Sequence, residues 1–220
     1  MAAKVVVEGS SNVTASQLKD LFRQVEDRSL GYYHLQALLE HRNPFEFERN
    51  QHGHVVLTFI GLDLTGAQEV ERLGAAYRVG ELAKSCLLST ATDSYDANHR
   101  LVLGQEYKVA LVPHSEIKRD SDRTTRNLRE WGRKNYGYGK PLAGLTPRIR
   151  ERLSDKQLEE LGLLYVVVLH DPIVDSDGDP RVLDAGRRGG GRWLGTCWAR
   201  PDDQWYVGGA SAFPVLASGT

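Results

Sequence analysis

Cysteine is scarce in this 220-residue chain: there are two, Cys86 and Cys197, and neither sits in a CxxC pair. That count and spacing exclude a disulfide framework and give no local ligand set for a structural zinc. The sequence therefore predicts two reduced thiols and no metal. Long apolar runs are missing too. No stretch approaches the ~20 consecutive apolar residues of a membrane-spanning helix. The N-terminus "MAAKVVVEGSSNV" offers one lysine and a three-valine run, too little for a signal-peptide core. A cytoplasmic protein is expected, with surface display by another route left open. Charge of one sign is absent overall: the net charge is −1, so the whole molecule is neither an obvious polyanion binder nor an acidic tail protein. No GxSxG, HExxH or P-loop pattern occurs. "YGYGK", ending at Lys140, lacks the preceding strand and the following Ser/Thr of a phosphate loop. No cofactor is implied.

What is present is an ordinary globular mixture, 40% apolar and 26% charged. At this length it suits one domain with an accessory module. Residues 1–50 read as a small strand-and-helix module: "KVVVEG" as a strand, Thr14 with Gln17 as a capping box, and a second helix over Tyr33–Arg42. "ERNQHGH" reads as a linker, and a second domain is predicted over 54–220. "HVVLTFIG", "YKVALVP" and the nearly continuous apolar "LLYVVVLHDPIV" read as strands. Thr65 with Gln68 and Ser154 with Gln157 are further capping boxes. The first opens a helix running to about Leu88, with Val70, Leu73, Tyr77, Leu82 and Cys86 facing inward. Ser121 or Asp122 caps another helix, to about Asn135. The C-terminal half reads as loop-rich with short strands "RVLDA", "RWLGTCW" and "SAFPVLA".

Three features carry candidate chemistry. Asp175, Asp177 and Asp179 have the 1-3-5 spacing of a calcium loop, but position 6 is Pro180 and position 12 is Gly186, so a solvated turn is expected. His170 and Asp171 are adjacent at a strand end and point to opposite faces, which suits a structural histidine better than a metal pair. From Lys118 to Arg152 eleven Lys/Arg face four Asp/Glu, a net of +7 against −8 for the rest. With Trp131, Tyr136 and Tyr138 interleaved, this segment is the best sign of nucleic-acid contact.

The last feature is "GRRGGGRWLGTCWARPDDQWYVGG", residues 186–209, which holds Trp193, Trp198 and Trp205, three of the chain's four tryptophans. Their spacing is neither 2 nor 3.6. It predicts a looped chain pinned by buried rings, with adaptable polar residues exposed between them. The stretch, followed by "SAFPVLA", resembles the C-terminal end of C-type-lectin-fold proteins of the formylglycine-generating-enzyme-like branch, where a GG-x-W element precedes a terminal strand. It resembles in particular the variable proteins diversified by diversity-generating retroelements. There, adenine-directed mutagenesis of AAY codons can write Asn, Asp, Gly, Arg, Ser, Thr, Ala, Val, Tyr or Cys, and cannot write Trp, Lys, Gln or Glu. Two departures stand: Gln204 lies outside that alphabet, and "SAFPVLA" lacks the terminal strand's usual arginine. The catalytic cysteines of formylglycine-generating enzyme have no match, so that activity is not implied.

The resemblance implies an α+β, C-type lectin-like fold and a non-enzymatic receptor-type protein. Its variable, ligand-binding face would comprise Asp184, Gly186, Arg187, Arg188, Gly190, Arg192, Gly195, Thr196, Cys197, Ala199, Arg200, Asp202, Asp203, Tyr206, Val207 and Gly208. Trp193, Leu194, Trp198, Pro201 and Trp205 would hold the frame. The partner would be a protein or another macromolecule. The alternatives are a nucleic-acid-binding protein using residues 118–152, and a small enzyme whose groups assemble only in three dimensions.

Overall fold

The computed structural model describes residues 15–26, 30, 35, 36, 39, 47–188 and 191–216, and of Ala75 and Arg188 the backbone alone. The chain divides into two compact units, Met1–Pro44 and Phe45–Thr220. In the first, α1 (Ala15–Glu26) carries an apolar stripe in which Leu18, Phe22 and Val25 are exposed. Asp20 accepts hydrogen bonds from Arg23 (2.6 Å) and Gln24 (2.8 Å) one turn on. The expected strand at 4–9, the Thr14 cap and most of the helix over 33–42 lie outside the described residues; Leu35, Gln36 and Leu39 are helical.

The second unit is mixed α/β, built on one nine-stranded sheet. The expected linker at 48–54 is instead its first hairpin. β1 (Glu48–Arg49) pairs antiparallel with β2 (Val55–Ile60). Asn50 makes the turn, its side-chain oxygen accepting the amides of His52 and His54, a local bond that asparagine supplies readily. α2 (Gly66–Leu73) starts on the predicted capping box, with Gln68 N–H bonded to Thr65 Oγ1 and Thr65 N–H to Gln68 Oε1. The single helix expected to reach Leu88 is broken. Gly74 sits at φ +47, a conformation glycine adopts at little cost. β3 (Arg78–Val79) then pairs in parallel with Trp193 and Leu194 before α3 (Glu81–Leu88) begins. Strand pairing overrides helical periodicity here.

α4 (Tyr95–Asn98) leads to β4 (Glu106–Pro113), and α5 (Thr125–Tyr136) follows. Its cap is Thr124, whose hydroxyl accepts from Asn127 N–H, in place of the expected Ser121 or Asp122. α6 (Leu145–Arg152) and α7 (Asp155–Glu160, on the predicted Ser154–Gln157 box) precede β5 (Tyr165–Val168) and β6 (Ile173–Val174). The C-terminal half is not loop-rich. β7 (Pro180–Arg188) and β8 (Gly191–Trp198) form a long antiparallel hairpin, and β9 (Gly209–Pro214) returns to the middle of the sheet. The order is β1-β2-β4-β9-β5-β7-β8-β3, so β2 and β9 share one sheet as expected, with β4 between them.

Both faces of the sheet are covered. Val182 and Leu183 are neighbours on β7 and so point to opposite sides. Val182 joins Leu128, Tyr138, Trp205 and Phe213 beneath α5. Leu183 joins Leu73, Ala83, Cys86, Leu87 and Leu194 beneath α2 and α3. Burial on both faces removes polar alternation, so β7 and β8 do not read as half-exposed strands. No helix among the described residues is long and apolar enough to cross a membrane.

Candidate functional site

The structure does not present the sixteen expected contact residues as one exposed face. The β7–β8 hairpin alternates them between two covered sides. Asp184 is 1% exposed, and Cys197, diagonal to it across the β7–β8 ladder, donates Sγ–H to Asp184 Oδ1 at 3.6 Å. Gly186, Gly195 and Ala199 are buried. Arg187, Arg192, Thr196 and Cys197 are half-buried. Arg187 donates to the carbonyl of Leu163 (3.0 Å) and pairs with Glu159, and Arg192 donates to the hydroxyl of Tyr77. Gly190 lies outside the described residues, and Arg188 is described only as backbone. The tryptophans also divide. Trp205 is 7% exposed and is frame as expected; Trp193 is half-buried; Trp198 is 40% exposed and belongs to the surface.

What does come together is the connection between β8 and β9, residues 199–208. Arg200, Pro201, Asp202, Gln204, Tyr206 and Val207 are exposed, while Asp203 and Gly208 are half-buried. The loop is fixed from beneath by donors that bind its backbone. α5 begins with N–H groups that have no partner within the helix. Those of Thr125 and Arg126 donate to the carbonyls of Asp203 (3.1 Å) and Pro201 (2.9 Å). Trp205 N–H donates to Arg123 O (2.7 Å), and its indole Nε1–H donates to Thr125 Oγ1 (2.9 Å). The buried Arg123 guanidinium returns bonds to the carbonyls of Trp205 and Ile117 and pairs with Asp120.

His114 is the second anchor. It is fully buried, with Nδ1 on the carbonyl of Tyr206 (3.0 Å) and Nε2 on Ser211 Oγ (2.9 Å). Burial pushes its pKa down to about 4, so it is neutral at pH 7. Nδ1–H then donates to Tyr206 and Nε2 accepts from the serine. This is a nucleophile–base pair in geometry, but both side chains are 0% exposed. The pair ties β9 to the loop and meets no substrate. Tyr165 closes the underside, and a Cβ on Gly209 would stand 2.4 Å from its ring, so that position requires glycine. His114 and Ser211 were missed in the sequence because neither belongs to a local motif; only pairing of β4 with β9 juxtaposes them.

Trp198 lies between two guanidiniums, Arg181 at 3.8 Å and Arg200 at 4.6 Å from its ring centre. Arg181 is held by Asp175 (2.6 Å), whose other oxygen accepts the amides of Asp177 and Asp179. The aspartate turn is thus an Asx turn aimed at an arginine, and its best-placed carboxylate is already saturated by donors.

A second concavity of about 430 Å³ is lined by Thr92, Asp93, Asn98, His99, Lys140 and Asp171, among others. Burial lowers the pKa of His99, and its Nδ1 accepts from Ala143 N–H (3.4 Å). Lys140 binds Asp171 at 2.5 Å and holds its carboxyl low. His170 stacks edge-on against His99, is completely buried, and is pushed down to about 3 by that burial. Its Nε2 accepts the amide of Leu183, which makes it the structural histidine expected. The cleft offers polar recognition; among the described residues His99 and the Asp171 carboxylate share no hydrogen bond.

The basic segment is no single surface. Arg123, Arg148 and Arg150 are buried. Arg148 pairs with Glu69 of α2, and Arg150 pairs with Asp155 at 2.8 Å. Arg119, Arg126, Lys134 and Lys140 each meet an acidic partner. Compared with known protein families, curated proteins and solved structures, the chain matches none.

Proposed function

We propose that the chain is a non-enzymatic ligand-binding protein, C-type-lectin-like in type, that contacts a protein partner through residues 198–208. The observation that carries this is the pairing of a fixed backbone with an exposed, contact-rich outer side. Trp198, Arg200, Tyr206 and Val207 face solvent on a loop whose carbonyls are held by α5, Arg123 and His114. Tyr, Trp and Arg on a preorganised backbone supply contact area at low entropic cost. The contact set contracts to Arg200, Asp202, Asp203, Tyr206, Val207 and Gly208, with Trp198 added. Retroelement diversification, in this reading, writes exposed loop positions and spares buried Asp184, Gly195 and Ala199.

Two experiments test this. A photo-crosslinking residue at position 206 should capture a defined protein partner that the same residue at exposed Leu103 does not; equal capture from both positions refutes the site. The surrounding DNA should hold a reverse-transcriptase gene and a near-copy of the 3′ end that differs at codons for 200, 202, 203 and 206–208. Differences concentrated at 184 and 195 would overturn the assignment of the variable face.

A further inference from the structure

A groove of about 250 Å³ lies between α5, the loop at 138–141 and the end of β5, away from the 198–208 surface. Its apolar floor is Leu169, Phe213 and Tyr138, the two rings stacked with centres 6.2 Å apart. Its cationic side is Arg129 and Arg133, one helical turn apart on the same face of α5. Arg129 is anchored: Nε donates to the carbonyl of Leu169 (3.1 Å) and Nη2 to that of His170 (2.5 Å). Among the described residues Nη1 has no hydrogen-bond acceptor. Among the described residues neither Arg129 nor Arg133 has an ion-pair partner. The acids at the rim form their ion pairs with lysines, Glu130 with Lys134 and Asp171 with Lys140, and act on Arg133 and Arg129 through charge alone. Partial burial lowers the pKa of Arg129, and the nearby Asp171 carboxylate offsets only part of that cost.

We propose that this groove binds a small organic monoanion, an aromatic ring bearing a carboxylate. The ring lies against Tyr138, Phe213 and Leu169, and the carboxylate reaches Arg129 and Arg133. The space is that of roughly eight waters, which fits one six-membered ring and its carboxylate. With Arg129, Arg133 and Lys140 against Glu130 and Asp171, the lining carries one net positive charge over an apolar floor, which matches one negative charge on an apolar body, and carboxylates suit guanidinium forks. The inference is independent of the protein-binding surface.

Benzoate is the probe, titrated into the full chain and followed by calorimetry and amide NMR shifts. Acetate is the charge-only control and benzyl alcohol the ring-only control. Benzoate should bind with a Kd on the order of 0.1–1 mM, shifting amides of α5 and residues 138–141, and both controls should bind at least about tenfold more weakly. Arg133→Gln removes an exposed side chain with no partner to lose, so it should leave the melting temperature unchanged and weaken benzoate about tenfold. Arg129→Lys keeps a charge but loses the fork and should weaken it as well. No saturable shift by ~10 mM benzoate, affinity unchanged in Arg133→Gln, or acetate binding as well as benzoate would each overturn the proposal.

Discussion

Trp205 and Tyr206 are adjacent in sequence and opposite in role, so substituting each by alanine separates frame from surface. Trp205 is 7% exposed, packs in the cluster with Leu128 and Phe213, and donates its indole N–H to Thr125 Oγ1. Removing such a ring costs about 3–5 kcal/mol. For a domain of this size each kcal/mol lowers Tm by about 2–4 °C, so Trp205→Ala should lose about 6–20 °C. Tyr206 is 61% exposed, and its structural contribution is its carbonyl, which accepts from His114 and survives the substitution. Tyr206→Ala should stay within about 0.5 kcal/mol of wild type. Trp205→Phe keeps most of the apolar area but strips Thr125 of its donor, and should fall between the two at about 1–3 kcal/mol. Differential scanning calorimetry on all three, at one pH and ionic strength, gives the comparison. Equal damage from Tyr206→Ala and Trp205→Ala would make 199–208 core throughout, and the display reading would fail.

Glu69→Gln should cost about 1–3 kcal/mol by removing the buried partner of Arg148, which is 4% exposed and keeps only Glu151 at 2.8 Å; urea unfolding should show the double variant Glu69→Leu with Arg148→Met to be less damaged than Glu69→Gln. Stability should fall on mild acidification, because His114 and His170 have folded pKa values of about 4 and about 3, below the usual 6.5. The unfolded chain then binds more protons, so the stabilisation present above pH 6.5 declines as pH drops toward 4, by up to about 1.4 kcal/mol per pH unit for each histidine. Melts of wild type and His114→Asn between pH 7 and 5 check this, and the variant should show a shallower slope. His114→Asn should also speed hydrogen exchange at the Trp205 amide, which is bonded to Arg123 O, without speeding it at Val167 in the sheet core; uniform acceleration would mean that His114 supports the whole fold and not the loop.

Local signals were legible in the sequence and long-range ones were not. The capping boxes at Thr65 and Ser154 carry their own geometry, since two side chains satisfy two backbone donors within one turn. β2, β4 and β5 were visible as β-branched runs. Of β7 and β8 only the short runs "RVLDA" and "RWLGTCW" were visible; the strands' full length and their pairing into one hairpin were not, because Arg, Asp, Gly and Trp fall there in no regular alternation. Polar residues survive there because each finds a partner that only the folded sheet supplies, as Asp184 does with Cys197 and Arg187 with the Leu163 carbonyl. The role of Trp198 was misread for a related reason. A tryptophan is usually buried by apolar neighbours, but this one is covered by Arg181, its direct cross-strand partner across a hairpin that composition does not reveal. Trp205 was placed correctly: its ring packs in the core cluster beneath α5, and its indole N–H meets the buried Thr125 hydroxyl.

The charge of residues 118–152 shows the same limit and weighs against nucleic acid as the main ligand. A basic stripe attracts phosphates only where its cations are exposed and not already neutralised. Here Arg123 is bound to the Trp205 carbonyl of the 199–208 loop, the Ile117 carbonyl and Asp120, Arg129 holds two carbonyls at the end of β5, and Arg148 and Arg150 run through α6, buried from Leu145 to Arg150. Four more pair with acids. Lys118 and Arg133 have no ion pair among the described residues; Lys118 lies in the segment before α5 and Arg133 in its last turn. A filter-binding measurement of single-stranded DNA should therefore show weak binding with a log–log salt slope of about −2 or shallower, against the −5 or steeper expected at about −0.7 per phosphate if seven or more cations engaged the backbone. A steep slope abolished by Arg133→Gln would reverse this ranking and make the Arg129–Arg133 groove part of a nucleic-acid site.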